Sequence, residues 1–385
     1  MTTSVSARAA ARPGTEADAV RGVVPGEVVR PTSPEEVVEV LRGSAGRTVL
    51  AAGGRSKLDW APAPSSCDLL VDTTGLDRVV EHVPGDLIVV AEAGVRLDVL
   101  QEQLAGAGQW LALDPPEPGA TLGGVLSANA SGPRRLRYGT VRDLLIGVTV
   151  VLADGTLAHA GGKVVKNVAG YDLGKLYTGA HGSLGVVVST TWRLHPVAPA
   201  RRVVVLDLAS PADAGPLALR LAASTLTPSA VELLVDDRRA RLVVVFEAIA
   251  ESVAAQADAA VALLGSGAQG DDLPAGFGAR PAGGLVLRLA FAPASLTAVL
   301  ALLPDGAQVA ASACTGVAYA GLPDGTDVAA LRRGLAAHDG TAVVLSGQTD
   351  DHWGPVGDAL PLMRRVKDRF DPERRLAPGR FVGGL

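Results

Sequence analysis

The sequence predicts a protein of two α+β domains, and three observations carry that prediction. Its 385 residues exceed what one core needs, at roughly 100–200 residues per domain. Pro196 and Pro199 punctuate the chain near its middle. Before them, Gly-rich loops alternate with short strands. After them, Val-rich strands and Ala-rich helices follow one another in a pattern that suits helices packed on one face of an antiparallel sheet.

The elements follow in order. Residues 1–20 carry no apolar h-region and read as a flexible arm, not a secretory signal. Residues 28–31 are extended. Ser33 then suits an N-cap, Pro34 the first helical position, and Glu35 and Glu36 the positive end of a helix dipole. Residues 48–52 form a strand that runs into Gly53-Gly54, and 68–72 and 87–91 are further short apolar runs. Leu97, Leu100 and Leu104 recur at helical spacing. Residues 144–152 are a strand, Asp154-Gly155 a hairpin turn and 156–160 its return. Residues 184–194 are a long strand. Beyond the prolines, strands are predicted at 203–208, 230–235, 242–248, 284–290, 308–313, 315–320 and 341–346. Helices are predicted at 212–224, 251–264, 295–303 and 327–337, and a last one at 359–370.

Composition narrows the function. With 48% hydrophobic and 19% charged residues, extended disorder is excluded. The net charge of −5 and an aromatic content of 3% exclude a basic or aromatic-lined nucleic-acid surface. Cys67 and Cys314, the only cysteines, are too few for an iron–sulfur cluster or a disulfide framework, and a reducing compartment is expected. No apolar run approaches the ~20 residues of a membrane span. Lysine is scarce, and Lys57, Lys163, Lys166 and Lys175 all fall in the motifs below.

Glycine-rich segments carry the chemistry. Gly265-Ser266-Gly267-Ala268-Gln269-Gly270 fits GxGxxG by letter, but a helix precedes it and none follows. A dinucleotide fingerprint requires strand, turn, helix, so this reads as a helix stop and a flexible loop. Gly161-Gly162-Lys163 lacks the spacing of a phosphate-binding P-loop. By contrast, Ala51-Ala52-Gly53-Gly54-Arg55-Ser56-Lys57 leaves a strand, and its glycines allow backbone N–H groups to converge on a diphosphate. An ordinary Gly-rich turn would read the same way. Residues 115–132 are poor in bulky side chains, as a backbone lying close to a flat ligand must be; a long structural loop is the alternative. A third such stretch covers 161–188. Three of them, each beside a strand, suggest one extended nucleotide cofactor.

The order of AAGGRSK, GATLGGVLSANASG, RYG, GGKVVKNVAGYDLGKL and GAHGSLGVV resembles the FAD-binding domain of the vanillyl-alcohol-oxidase/PCMH flavoprotein family. Within it, the closest wording is that of glycolate oxidase FAD-binding subunits. The resemblance covers roughly residues 25–196 and a tail, FDPERRLAPGR. It implies an α+β fold: a PCMH-type FAD-binding domain of two α+β subdomains at 21–197, an α+β cap domain with an antiparallel sheet at 198–365, and a tail at 366–385 that returns to the FAD domain. It implies FAD, and since the motifs here offer no compelling His or Cys for the covalent attachment seen in some relatives, non-covalent binding is expected. Gly53, Gly54, Arg55, Ser56 and Lys57 would wrap the pyrophosphate. Gly119, Thr121, Leu122, Gly123, Asn129, Ser131 and Gly132 would line the flavin and ribityl chain, and Gly182, Gly185 and Val186 the adenine end. Pro116, Tyr138 and Gly139 complete the set. The family's tail reads Asn-Pro-Gly where this chain has Ala377-Pro378-Gly379.

The implied function is that of an FAD-binding subunit of a glycolate (2-hydroxy acid) dehydrogenase. It would work with a second FAD subunit and an iron–sulfur subunit in the cytoplasm, with any membrane contact made through those partners. A self-sufficient FAD oxidoreductase and a non-catalytic FAD-bearing scaffold are the alternatives. Lys163 or Lys166 could meet charge on the reduced ring, or be solvated hairpin residues. No catalytic residue is assigned and no metal site is expected. In the cap, Arg288, Tyr319, His338 and His352 are the visible candidates for handling a hydroxy acid.

Overall fold

The computed structural model describes residues 10–163, 171–236 and 239–385. Two sheets build the N-terminal half. In the first, strands Glu27–Val29 and Val49–Ala52 flank Leu69–Asp72, both parallel to it. Parallel neighbours need a crossover, and helix Pro34–Gly43 supplies one, with the Ser33 side chain accepting from the Glu36 N–H at 3.2 Å. Its Val37 and Leu41 pack on Val49, Leu69 and Val71. The second sheet is antiparallel, in the order Val79–Val83, Ile88–Glu92, Val186–Arg193, Leu145–Val151, Leu157–Gly161. Val151, Val186 and Val188 join it to the first sheet's core.

Two N-terminal readings are corrected. The described part of the arm is fixed, because Ala11–Pro13 adds to the first sheet through Glu27–Val29. Asp18, buried, accepts from Arg12 at 2.7 Å and from the Thr15 hydroxyl at 2.8 Å, which anchors the turn. Residues 115–132 are not a loop throughout: Leu122–Ala128 is a helix, capped by Thr121 and ended by Asn129 at φ 48°. Its small residues serve packing, since a Cβ on Gly123 would come within 2.9 Å of the Ala93 Cβ.

The cap is one eight-stranded sheet in which every pairing is antiparallel. It consists of two halves of one design. Strand Ala200–Leu208, helix Ala214–Ala222, strands Ala230–Val235 and Ala240–Ala248, helix Ala250–Leu264 and strand Ala268–Gly270 make the first. Strand Leu285–Ala290, helix Leu296–Leu300, strands Gln308–Ser312 and Val317–Leu322, helix Val328–Ala336 and strand Thr341–Ser346 make the second. The halves join through Ala230–Val235 and Gln308–Ser312, with Ala268–Gly270 and Thr341–Ser346 at opposite edges. Helices cover one face, over a core that includes Val244, Phe246, Leu287 and Leu289; the other face looks toward the FAD half.

Two further readings change. The GxGxxG segment does stop a helix, with Gly265 at φ 88°, but its end pairs with Val203–Val205, because an open sheet edge offers unmet backbone groups. The cap also ends earlier than residue 365. Helix Leu360–Phe370 already belongs to the FAD half, with Val366 and Phe370 packed in that core and the buried Lys367 ammonium donating to the Ser183 carbonyl at 2.7 Å.

Candidate functional site

Strand Val49–Ala52 delivers Gly53–Lys57 to the mouth of a cleft of about 740 Å³, measured to its open side. Thr121, Gly123, Gly124, Ser127 and Ala128 form another wall, and His181, Gly182, Gly185, Val187 and Arg380 close it. The three motifs touch one another. A Cβ on Gly53 would stand 2.2 Å from the Thr121 hydroxyl, and one on Gly54 1.9 Å from the Gly119 carbonyl oxygen. The His181 N–H donates to the Ser127 carbonyl at 2.9 Å. The glycines of the first motif thus let two loops meet, and the meeting creates the cleft. Arg55, Asn129 and His181 take φ values of 58°, 48° and 52°, a costly conformation outside glycine. Of the eight non-glycine residues at positive φ among the described residues, these three lie on the motifs that build the cleft.

The predicted residues separate into groups. Gly53, Gly54, Arg55, Ser56, Lys57, Thr121, Gly123, Gly182 and Gly185 line the cleft. Pro116 and Gly119 lie on an adjoining groove beside Leu97 and Gln101. Asn129 Oδ1 and Ser131 Oγ are buried with no hydrogen-bond partner, so a polar ligand fits there. Leu122 and Val186 are packed in cores instead. Gly132 is held against the Asp114 carbonyl and Gly139 against Asp143. Tyr138 stacks edge-on between Trp110 and His195. The Arg55 guanidinium turns away to the Ala17 carbonyl and Asp18. Lys163 pairs with Glu81 away from the cleft; Lys166 lies outside the described residues.

His181 and Arg380 are cleft residues that were not assigned from sequence. Arg380 is buried and donates to the Pro62 and Leu58 carbonyls at 2.7 and 2.6 Å. Burial, with Arg380 and Arg288 nearby, pushes the His181 imidazole down to about 4, so it is neutral at neutral pH. Its ring lies edge-on to Trp353, 5.1 Å between centroids.

A buried polar cluster spans the cleft and the cap. Lys57 Nζ stands 3.6 Å from Glu117, whose other oxygen accepts from Arg280 Nε at 2.8 Å. Burial pushes the Lys57 ammonium below its ordinary value, and Glu117 only partly offsets this. The Arg280 guanidinium lies over the Tyr319 ring, 3.5 Å from its centroid. Arg135 of the FAD half comes within 3.4 Å of the Tyr319 hydroxyl, and Arg288 is the cross-strand neighbour of Tyr319. Burial raises the Tyr319 phenol, but Arg280, Arg135 and Arg288 outweigh it, and its pKa falls below the ordinary tyrosine value. Of the cap candidates, Arg288 and Tyr319 meet here. His352 is instead buried, with its ring bonded to the Val344 carbonyl, and His338 follows the helix Val328–Ala336.

This fold and cleft define an FAD-binding protein. Residues 25–161 match the FAD binding domain family, and residues 348–381 the C-terminal domain of FAD linked oxidases. The chain is 33% identical over 213 residues to the mitochondrial D-lactate dehydrogenase [cytochrome] of Arabidopsis thaliana, covering 55% of this chain and 37% of that protein. It is 38% identical over 120 residues to glycolate oxidase subunit GlcE of Escherichia coli, covering 31% and 34%. It is 30% identical over 219 residues to glycolate oxidase subunit GlcD of Bacillus subtilis, covering 55% and 46%. The matches therefore span less than half the length of these relatives. Two crystal forms of alkyldihydroxyacetonephosphate synthase share the fold, with TM-scores of 0.68 and 0.70 at 16% identity, covering 92% and 94% of this chain and 77% and 79% of theirs. The chain therefore carries an FAD binding domain and a C-terminal domain of the FAD linked oxidase kind, and its cofactor is FAD. Among the described residues no helix is long and apolar enough to cross a membrane.

Proposed function

We propose that this chain is an FAD-binding subunit of a glycolate-oxidase type of complex. In this reading it acts on the CH–OH group of a small 2-hydroxy acid and passes electrons to an iron–sulfur partner. The observation that carries the reading is the convergence of Gly53–Lys57, Thr121–Ala128 and His181–Gly185 on one cleft. The relatives named for glycolate and D-lactate chemistry support the substrate class.

FAD, when bound, supplies the two-electron redox chemistry. The chain's residues bind and orient it. The Gly53–Lys57 backbone and Lys57 would hold its phosphates, Asn129 and Ser131 would offer their unpartnered oxygens, and the cap sheet would shield the bound group from water. Binding is non-covalent. The Cys67 thiol is buried, bonded to the Leu69 carbonyl and pushed up to about 11 by that burial, which leaves it a poor nucleophile. His181 is enclosed by Trp353 and Phe381. The domains divide as an FAD half at 10–197, a cap at about 198–346 and a returning segment beyond it.

The purified chain is expected to be yellow and to release FAD on denaturation. Gly54→Ala forces a backbone clash and should abolish flavin content, while Gly270→Ala, with open space around it, should leave it intact. Anaerobic mixing with glycolate or D-lactate should bleach the flavin only when partner subunits are present. Bleaching of the isolated chain would make it self-sufficient; equal flavin content in the two glycine variants would defeat the assignment of the cofactor to this cleft.

A further inference from the structure

The face of the cap sheet that looks toward the FAD half holds an imbalance of charge. Lys57, Arg134, Arg135, Arg280 and Arg288 gather near Asp114, Glu117, Glu232 and Glu247. The acids are already engaged. Glu117 accepts from Arg280 through one oxygen and keeps only a 3.6 Å ion pair with Lys57 through the other, Asp114 and Glu247 serve Arg134, and Glu232 accepts from the Ser312 hydroxyl. Burial also drives Asp114 and Glu232 toward their neutral forms. Among the described residues, this leaves Arg135 and Arg288 without a carboxylate partner. One nitrogen of Arg280, NH2, is buried with no hydrogen-bond partner at all.

A cation partly withdrawn from water without a counter-charge is costly, and the three arginines are half-buried, so this arrangement is poised to take an anion. All three guanidiniums converge on one ring. Arg280 lies over its face, Arg135 stands at its hydroxyl and Arg288 sits on the adjacent strand. A carboxylate meets guanidinium groups in a planar, two-point fashion, and a phenol oxygen beside it is placed to bond a neighbouring hydroxyl. We propose that Arg135, Arg280 and Arg288 bind the carboxylate of a small hydroxy acid, and that the Tyr319 hydroxyl bonds the substrate's own hydroxyl. The chain then binds the acid in a pocket of its own, while reduction of its flavin still waits for the partner subunits. This rests on the proposed hydroxy-acid function and deepens it.

The test is calorimetric titration of the FAD-loaded chain with sodium oxalate, a dicarboxylate with no C–H to oxidise, and with glycolate under anaerobic conditions. The flavin content of every variant is measured alongside. Saturable oxalate binding is expected. Among the described residues the Arg288 side chain makes no hydrogen bond that Arg288→Gln would break, so this variant should retain its flavin and bind oxalate at least about tenfold more weakly, the usual scale for a lost charge-assisted contact. Arg142→Gln, on the exposed outside of the FAD half, should bind as the parent does. Tyr319→Phe should weaken glycolate more than oxalate. The proposal is overturned if oxalate does not bind saturably, if Arg288→Gln binds it as the parent does, or if Arg142→Gln loses as much. A chain that takes up no FAD yet binds oxalate through Arg288 would break the cofactor assignment and keep this pocket.

Discussion

The two halves of the cap share one topology, yet their inward faces differ. In the first half, Val203, Leu234, Val243 and Val245 make most of that face apolar, with Glu232 and Glu247 at its margin toward the second half and the FAD half, and Leu273 and Phe277 of the following segment cover the apolar part. In the second half the matching positions hold Arg288 and Tyr319, and the groups that meet them come from the FAD half and from Arg280. The same strand order supports a sealed core on one side and a charged pocket on the other. Chemistry in this fold is therefore set by which residues occupy alternate positions of two strands, and the backbone is indifferent to the choice.

The sharpest way to break this comparison is to write the second half's chemistry into the first. Val245→Arg buries an unpaired cation under Phe277 and should cost about 3–5 kcal/mol, read from urea unfolding; a midpoint near the parent's would mean the first half is not sealed. The reverse exchange, Arg288→Val, should cost less than about 1 kcal/mol or stabilise the chain, because among the described residues this arginine has no acid partner to lose. The same unfolding measurement decides it.

Glu232 lies at the join between the halves, where burial raises its carboxyl from the ordinary range to about 7. The folded state holds that proton more tightly than the unfolded chain does. The resulting stability is complete below about pH 4.5 and is lost as pH rises through about 7, some 3 kcal/mol in all. Glu232→Gln should match the parent near pH 5 and exceed it at pH 8, and a constant difference across that range would show that the group is not shifted. The smallest effect concerns helix ends. The second helix of the first half ends on Gly265 at φ 88°, whereas that of the second half is followed by Asp339 at φ 51°. Asp339→Gly should raise stability by about 0.5–1 kcal/mol, measured as a small increase in Tm.

The FAD half was legible because its motifs are local. Gly53-Gly54 after a strand, and a small-residue run opened by Thr121, can be seen without knowing the fold. Strand alternation in the cap was equally plain, and it drew attention to Arg288 and Tyr319 as polar letters in apolar strands. What could not be read was their company. Arg280 lies in an irregular segment with no period, Glu117 is 163 residues before it in the chain, and Arg135 sits in a four-residue helix of the other domain. Only the packing of two domains unites them. Arg380 was hidden differently: its role depends on the tail returning to Leu58 and Pro62, a contact with no local signature.

That returning tail also orders events during synthesis. Arg375 donates to the Leu41 carbonyl at 2.7 Å, and the Ala377 N–H donates to the Val49 carbonyl at 2.8 Å. The half that emerges first from the ribosome therefore waits for segments made after the whole cap. Domains commonly fold as they emerge, but here the nascent N-terminal half must persist as an unclosed intermediate while the cap is translated. FAD capture is then a late, post-translational step, and a chain stopped after the cap would be expected to emerge folded in its second half and colourless.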